Sequence, residues 1–191
     1  LELQAHDAVF VVFRHAADQP ARSVPKPLRT ILATIEGPWD VTFEEGRGAP
    51  PAATFDKLLS WPQSTDRGIR YFSGAATYHK ALEVDPAWLK RGRRIELDLG
   101  DVRELAAVSM NGKLVSTVWH APYRVDLSDY LQPGSNRLEI RVVNLWPNRL
   151  IGDRQPGAVR VAFAPQSSYR ADSPLLPSGL LGPVRLVGVE Q

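Results

Sequence analysis

The sequence predicts an all-β fold, an antiparallel β-sandwich of the jelly-roll type, and three observations support this prediction. Short runs rich in β-branched and aromatic residues recur from Thr30 onward, separated by glycine, proline and asparagine. Apolar and charged residues alternate over 94–99 and 137–142, which is typical of strands with one buried and one solvated face. No run repeats with the 3.6-residue period of an amphipathic helix. Roughly ten short strands at this spacing indicate two packed sheets.

The first 27 residues are expected to lie outside this sandwich. Residues 9–14 (VFVVFR) have no turn signal before them, which is typical of the last strand of an element that begins upstream. Residues 15–27 carry three prolines among small and polar residues, and this composition indicates a linker. We therefore predict a terminal strand plus a linker over 1–27 and a jelly-roll domain over 28–191. Because the chain begins with Leu1 and its single methionine is Met110, we expect a fragment of a longer protein.

Turn residues place the connections between strands. Asn111-Gly112 lies between two alternating runs and predicts a type I′ hairpin over 104–118, because both central residues of that turn need a positive φ. Pro133-Gly134 predicts a longer crossing between sheets. Gly74 follows two aromatic residues and indicates a bulge or a close backbone approach.

Composition excludes several classes of partner and site. The 23 basic and 21 acidic residues are interspersed and give a net charge of only +2, which argues against a nucleic-acid partner. The apolar run at 8–13 is too short to cross a bilayer, so no membrane partner is expected. The chain has no cysteine, which rules out disulfides and thiolate metal sites.

Six segments spread over residues 28–190 carry a resemblance to a known enzyme family. The segments are GPWDVTF (37–43), GIRYFSGAATYHK (68–80), LDLGDV (97–102), VSMNGK (108–113), VWHAPYRVDLSDYLQPGSNRLEIRVVNLWPNRLIGD (118–153) and PLLPSGLLGPVRL (174–186). They resemble the sugar-binding β-domain of glycoside hydrolase family 2. The resemblance is closer to the C-terminal, galactose-binding-domain-like β-domain of family 106 α-L-rhamnosidases.

The resemblance implies a parent enzyme, secreted or periplasmic, that removes terminal rhamnose with inversion, assisted by calcium. Its acidic residues would lie on a (β/α) barrel that cannot fit in this chain beside a sandwich. The chain would then be a non-catalytic accessory module whose partners are the catalytic barrel of the same parent chain and a rhamnose-containing glycan. Two alternatives stay open: a free-standing, lectin-like carbohydrate-binding module for plant or microbial polysaccharide, and a purely structural spacer.

The loop over 144–154 is the first candidate site for sugar binding. Trp146 offers a flat apolar ring, and Asn148, Arg149 and Asp153 offer amide, guanidinium and carboxylate groups that hydrogen-bond sugar hydroxyls. In family 2 enzymes the similarly placed loop touches substrate, and the resemblance extends this role to Asn148 and Asp153. The alternative interpretation places Trp146 in the core and pairs Arg149 with Asp153 to fix the loop.

A second candidate site is formed by Trp119, His120 and Tyr123 at the end of the strand after the hairpin. Aromatic side chains at strand ends suit sugar stacking, but Trp119 and Tyr123 could also close the end of the core. The other three tryptophans are expected to be core or sheet-capping residues: Trp39, Trp61 and Trp88. Trp61 lies beside Pro62 in a loop, so the alternative that it is exposed for stacking on a sugar stays open.

No catalytic residue is predicted, because glycoside hydrolysis needs two carboxyl groups that flank the scissile bond. Glu44 and Glu45 are adjacent and would point to opposite faces of a strand, while Asp126 and Asp129 flank Ser128 as turn caps do. A structural calcium site stays open, although no loop has the acidic density of an EF-hand.

Overall fold

The computed structural model describes residues 8–16, 26–164 and 166–190. The regular elements are β1 (Leu28–Ile35), β2 (Trp39–Phe43), β3 (Ala52–Phe55), α1 (Arg67–Arg70), β4 (Ala75–Val84), β5 (Arg94–Asp98), β6 (Asp101–Arg103), β7 (Leu105–Met110), β8 (Lys113–Val118), β9 (Arg124–Asp126), β10 (Gly134–Val143), α2 (Pro147–Gly152), β11 (Gly179–Gly182) and β12 (Val184–Glu190). Short 3-10 turns lie at Trp61–Gln63 and Pro86–Trp88.

The strands form an antiparallel sandwich, which confirms the predicted fold class. One sheet has six strands in the order β3-β2-β4-β10-β7-β8, and the other has four in the order β1-β12-β5-β9. A two-stranded ribbon, β11-β6, is hydrogen-bonded to neither sheet but contributes Val102 and Leu180 to the core. The named strand pairs are all antiparallel, as expected where one face of each sheet is buried and the other solvated.

The core lies between the two sheets and follows the alternation seen in the sequence. Leu138, Ile140 and Val142 of β10 are fully buried, whereas the charged residues between them face outward. Ile95 and Leu97 of β5 contribute to the same cluster from the other sheet. Burial of one face of each strand therefore fixes the register of both sheets.

The tryptophans expected in the core lie there. Trp39 and Trp61 are fully buried, and Trp88 is partly buried and packs against the core. The Trp61 indole donates to the Tyr78 hydroxyl at 2.8 Å, which satisfies its buried N–H. Trp61 is therefore not available for stacking on a sugar.

The Asn111-Gly112 hairpin is confirmed. It joins β7 to β8, and its two central residues have φ values of 53° and 79°. The Asn111 side chain also donates to the Tyr130 carbonyl at 3.1 Å and to the Asn136 side chain at 2.9 Å. The turn residue thereby ties the hairpin to the crossing before β10.

The predicted boundary before residue 28 stays a prediction. Residues 8–16 form no regular element and are exposed, and residues 17–25 of the predicted linker lie outside the described residues.

Candidate functional site

One end of the six-stranded sheet collects most of the predicted site residues. The register pairs Ala75 with Val143 and Val143 with Leu105, so β4 begins, β10 ends and β7 begins at the same end. β8 also ends there, because Val118 pairs with Ala106. We call this region the loop end, defined by the segments 44–49, 71–74, 103–104, 119–123 and 144–154.

Asn144 anchors the loop that follows β10. Its side-chain oxygen accepts from the Gly74 N–H at 3.0 Å, and its amide nitrogen donates to the Phe72 carbonyl at 2.9 Å and to the Ser178 hydroxyl at 3.1 Å. Gly74 has a φ of 150°, and its backbone approaches that of Asn144, whose N–H donates to the Gly74 carbonyl at 3.4 Å. A Cβ at Gly74 would lie only 3.0 Å from the Glu44 carboxylate. The 144–154 loop is thus held to the start of β4.

Asn148 is almost completely buried, at 1% exposure, and binds the chain itself. Its amide nitrogen donates to the Leu176 carbonyl at 2.7 Å and to the Ser178 hydroxyl at 3.0 Å, and its oxygen accepts from the Leu176 N–H at 2.8 Å. These bonds hold the segment before β11 against α2. A sugar contact by Asn148 stays a prediction.

Arg149 and Asp153 form a buried ion pair at the other end of α2. The guanidinium Nε lies 3.0 Å from a carboxylate oxygen, but its N–H is not aligned for a hydrogen bond, so the contact is electrostatic. The Asp153 carboxylate also accepts from the Val161 and Ala162 N–H groups at 3.1 and 2.8 Å. The pair therefore fixes the loop, and substrate contact by either residue stays a prediction.

Trp146 lies outside the core, with 44% of its surface exposed. The Arg47 guanidinium covers one face of the ring at 4.9 Å from its centre, a cation–π contact. Arg47 is oriented by Glu44 at 3.1 Å, and Glu44 also accepts from the Ala75 N–H at 3.0 Å. The Ala75 hydrogen bond and, less strongly, Arg47 hold the pKa of Glu44 below its ordinary value, against the opposing effect of burial. Because 44% of its surface is exposed, the interpretation of Trp146 as a core residue is wrong.

A cleft of about 840 Å³ opens at the loop end beside Trp119. We call it the Trp119 cleft, and its lining residues are Asp101, Arg103 and Glu104 on one segment, Trp119, His120, Ala121 and Tyr123 on another, and Ala8. The Trp119 ring is 70% exposed, so it does not close the core. His120 packs its ring edge-on to Trp119 at 5.2 Å, with its Nδ1 bonded to the Ala121 carbonyl at 2.9 Å.

The charged residues of the cleft differ in their partners. Arg103 donates to Asp101 at 2.9 Å, which neutralises that carboxylate. Glu104 has no side-chain hydrogen bond or ion pair with any residue that the structure describes. Burial, followed by the charges of Glu104 and Asp101, raises the pKa of the Tyr123 phenol, and Arg103 opposes this effect.

The cleft lacks the arrangement that glycoside hydrolysis requires. Among the described lining residues, both carboxylates come from the segment 101–104, whereas the segment 119–123 contributes aromatic and small residues. Hydrolysis needs two carboxyl groups on opposite sides of the glycosidic bond, about 5–10 Å apart. Within the described ranges there is also no group of three or more acidic or histidine side chains that could hold a metal. A calcium site that uses loop carbonyls stays a prediction. In the same ranges, no helix has the length and apolar character needed to cross a membrane.

Sequence reasoning missed Glu104, Arg103 and Arg47. Glu104 reaches the cleft because its N–H bonds to the Val143 carbonyl at 3.0 Å, which places it beside the end of β10. Arg47 reaches Trp146 from a segment about a hundred residues earlier in the sequence. Both positions depend on strand order and register, which local patterns do not contain.

Comparison with known proteins agrees with this architecture. The glycosyl hydrolase 2 galactose-binding domain-like family matches residues 63–170. The structure of a rhamnosidase from Novosphingobium sp. PP1Y is 46% identical with a TM-score of 0.87, over 92% of this chain and 17% of that one. A provisionally named β-glucuronidase of Formosa agariphila is 38% identical over 190 residues, 86% of this chain and 16% of the relative.

More distant structures share the fold alone. A β-glucuronidase of an uncultured Clostridium species is 21% identical with a TM-score of 0.61, over 88% of this chain and 30% of that one. The chain therefore spans less than a third of the length of each of these three proteins. Because the family match covers more than half of its residues, the chain belongs to the glycosyl hydrolase 2 galactose-binding domain-like family.

Proposed function

We propose that this chain is a non-catalytic accessory domain of a larger glycoside hydrolase of the α-L-rhamnosidase type, family 106, and that it braces the catalytic barrel of the same parent chain. The observation that carries the proposal is the 46% identity to a rhamnosidase over 92% of this chain. The described residues of the Trp119 cleft offer no opposed pair of carboxyl groups, which favours an accessory role over a catalytic one. The glycan would contain rhamnose, and the parent enzyme would be secreted or periplasmic.

The loop end is the surface that we assign to the barrel and its substrate. Trp119, Leu145 and Trp146 are exposed there, and Val159 and Phe163 are exposed in the segment that Asp153 holds. Exposed apolar side chains gathered on one face are typical of interaction sites. By contrast, the outward face of the six-stranded sheet carries polar and charged side chains such as those of β10.

Two assays test this proposal. The isolated chain should not hydrolyse a chromogenic α-L-rhamnoside, and turnover above the blank would overturn the non-catalytic assignment. In the parent enzyme, Trp146→Ala should lower activity or thermal stability. The matched control is Leu114→Ala, which removes a side chain 64% exposed beside the hairpin at the opposite end of the sheet. Equal effects of the two substitutions would contradict an interface at the loop end.

A free-standing carbohydrate-binding module is the second candidate, and the exposed Trp119 ring favours it. Such a module would bind polysaccharide by itself. Its deletion from the parent would leave hydrolysis of a small soluble rhamnoside unchanged and would weaken only action on polymer. A bracing domain predicts the reverse, because its removal would destabilise the barrel and reduce hydrolysis of every substrate.

A further inference from the structure

We propose that the Trp119 cleft is a binding site for a neutral pyranose and that it discriminates against uronates. The inference rests on the proposed function for the assignment of the ligand as a saccharide. The space, the exposed ring and the charge of the cleft are properties of this chain. They add Glu104 to the candidate binding residues and specify the class of sugar.

The cleft has the size and the aromatic surface that a sugar ring requires. Its volume of about 840 Å³ lies within the range of small-molecule sites, roughly 300–1,000 Å³. Trp119 presents most of its ring to solvent, and the edge-on contact with His120, at an interplanar angle of 85°, restricts its orientation. A pyranose can lay its C–H face on such a ring while its hydroxyls point away from it.

The polar groups that line the cleft together with the ring complement hydroxyls. The Glu104 carboxylate can accept hydrogen bonds from two neighbouring hydroxyls, and no described side chain competes for it. Tyr123 can donate to a ring or glycosidic oxygen, because a phenol is protonated at neutral pH. The backbone bond of Glu104 to Val143 at 3.0 Å continues the sheet, so this wall is held in place without a ligand.

The charge of the cleft sets its selectivity. Asp101 is paired with Arg103, so Glu104 leaves one negative charge without a counter-ion among the described lining residues. A uronate would bring a second negative charge into this space, whereas a neutral sugar brings none. Like charges brought together at a binding site oppose association. Since the cleft is open to solvent and the repulsion is screened, we expect a discrimination of roughly tenfold.

The experiment is a titration of the isolated chain, followed by the NMR signals of its tryptophan side chains. The probes are methyl α-L-rhamnoside and methyl β-D-glucuronide at matched low ionic strength. We expect a dissociation constant on the order of millimolar for the rhamnoside, a range typical of a single small ligand. The glucuronide should bind roughly tenfold more weakly, and added salt should narrow the difference.

Three variants separate the contributions. Trp119→Ala should abolish detectable binding of both probes. The control Leu114→Ala removes an exposed side chain at the opposite end of the sheet, outside the cleft, and should change neither. Glu104→Gln should weaken rhamnoside binding a few-fold and strengthen glucuronide binding, so that the ratio of the two constants moves toward one. Unchanged thermal unfolding of each variant confirms that the fold is intact.

The outcomes distinguish this inference from the proposed function. If the wild-type chain does not bind the rhamnoside, or if Trp119→Ala leaves binding unchanged, the assignment of the cleft as a sugar site is wrong. Equal affinity for the two probes, or an unchanged ratio in Glu104→Gln, would overturn the selectivity. None of these results bears on the accessory role, because that role is judged by turnover of the isolated chain and by the activity of parent-enzyme variants.

Discussion

Removing the hydroxyl of Tyr78 should destabilise this fold far more than the loss of one surface hydrogen bond would. The residue lies on β4 and is fully buried. Its oxygen accepts from the Trp61 indole at 2.8 Å and from the Leu180 backbone N–H at 3.1 Å. A single atom thus joins the six-stranded sheet to the 3-10 turn at Trp61–Gln63 and to β11.

The cost of Tyr78→Phe follows from these two donors. Phenylalanine keeps the ring and its packing, but both N–H groups lose their acceptor in a site without water access. Each buried unsatisfied donor costs about 1–3 kcal/mol, so we expect a loss of at least about 2 kcal/mol of unfolding free energy. For a chain of this length, that corresponds to a fall in melting temperature of at least about 4 °C.

Urea and thermal unfolding followed by tryptophan fluorescence measure this loss. The control is Tyr169→Phe, a partly exposed residue whose change should stay within about 0.5 kcal/mol. Burial raises the pKa of Tyr78 from 10.0 to about 12. Stability from the neutral phenol is therefore present below pH 10 and lost as pH rises toward 12, and Tyr78→Phe should lack this alkaline loss. A Tyr78→Phe variant as stable as Tyr169→Phe would refute the reasoning.

Three further substitutions test the loop end and its support. Gly179→Ala should be strongly destabilising in urea unfolding, because the new Cβ would lie 2.6 Å from the Trp61 indole nitrogen. The control is Gly92→Ala, at a similar positive φ with nothing within 4 Å of the new Cβ, which should cost only the backbone strain of about 1–3 kcal/mol. Asn148→Ala should cost about 1–3 kcal/mol by the same assay, since it removes three hydrogen bonds and leaves the Leu176 N–H, in a partly buried site, without its acceptor. The pKa of Glu44 is lowered in the folded chain, so its carboxylate adds stability above its ordinary pKa of 4.5, and this stability is lost as the pH falls. Glu44→Gln should therefore reduce the fall of the unfolding free energy at acid pH, by less than about 1 kcal/mol.

The fold could be predicted from the sequence because its main signals are local. Alternation over 137–142 reports a strand with one buried face, and the structure buries Leu138, Ile140 and Val142 accordingly. Asn111-Gly112 specifies its turn through the φ values that the two residues tolerate. Neither signal depends on which strands become neighbours.

The site could be predicted only in part, because burial of a polar side chain depends on distant residues. Asn148 lies in a loop with polar neighbours, and nothing near it reveals that Leu176 and Ser178 enclose its amide. A tryptophan at the position of Trp119 fits either the core or a binding surface, and only the folded structure shows that it is exposed. Glu104 joins the cleft through its bond to Val143, a pairing set by strand order.

The hydrogen bonds of the loop end determine which of its residues can contact a ligand without rearrangement. Asn148 would have to release three hydrogen bonds, and Asp153 two backbone N–H groups and an arginine, before either reached a sugar hydroxyl. At about 1 kcal/mol net for each bond, this opening would consume much of the binding energy of a single sugar. Trp119 and Glu104 need no such rearrangement, because one is exposed and the other has no side-chain partner among the described residues. Ligand contact should therefore begin in the Trp119 cleft, and a signal from Asn148 would require that the 144–154 loop first detach from the segment before β11.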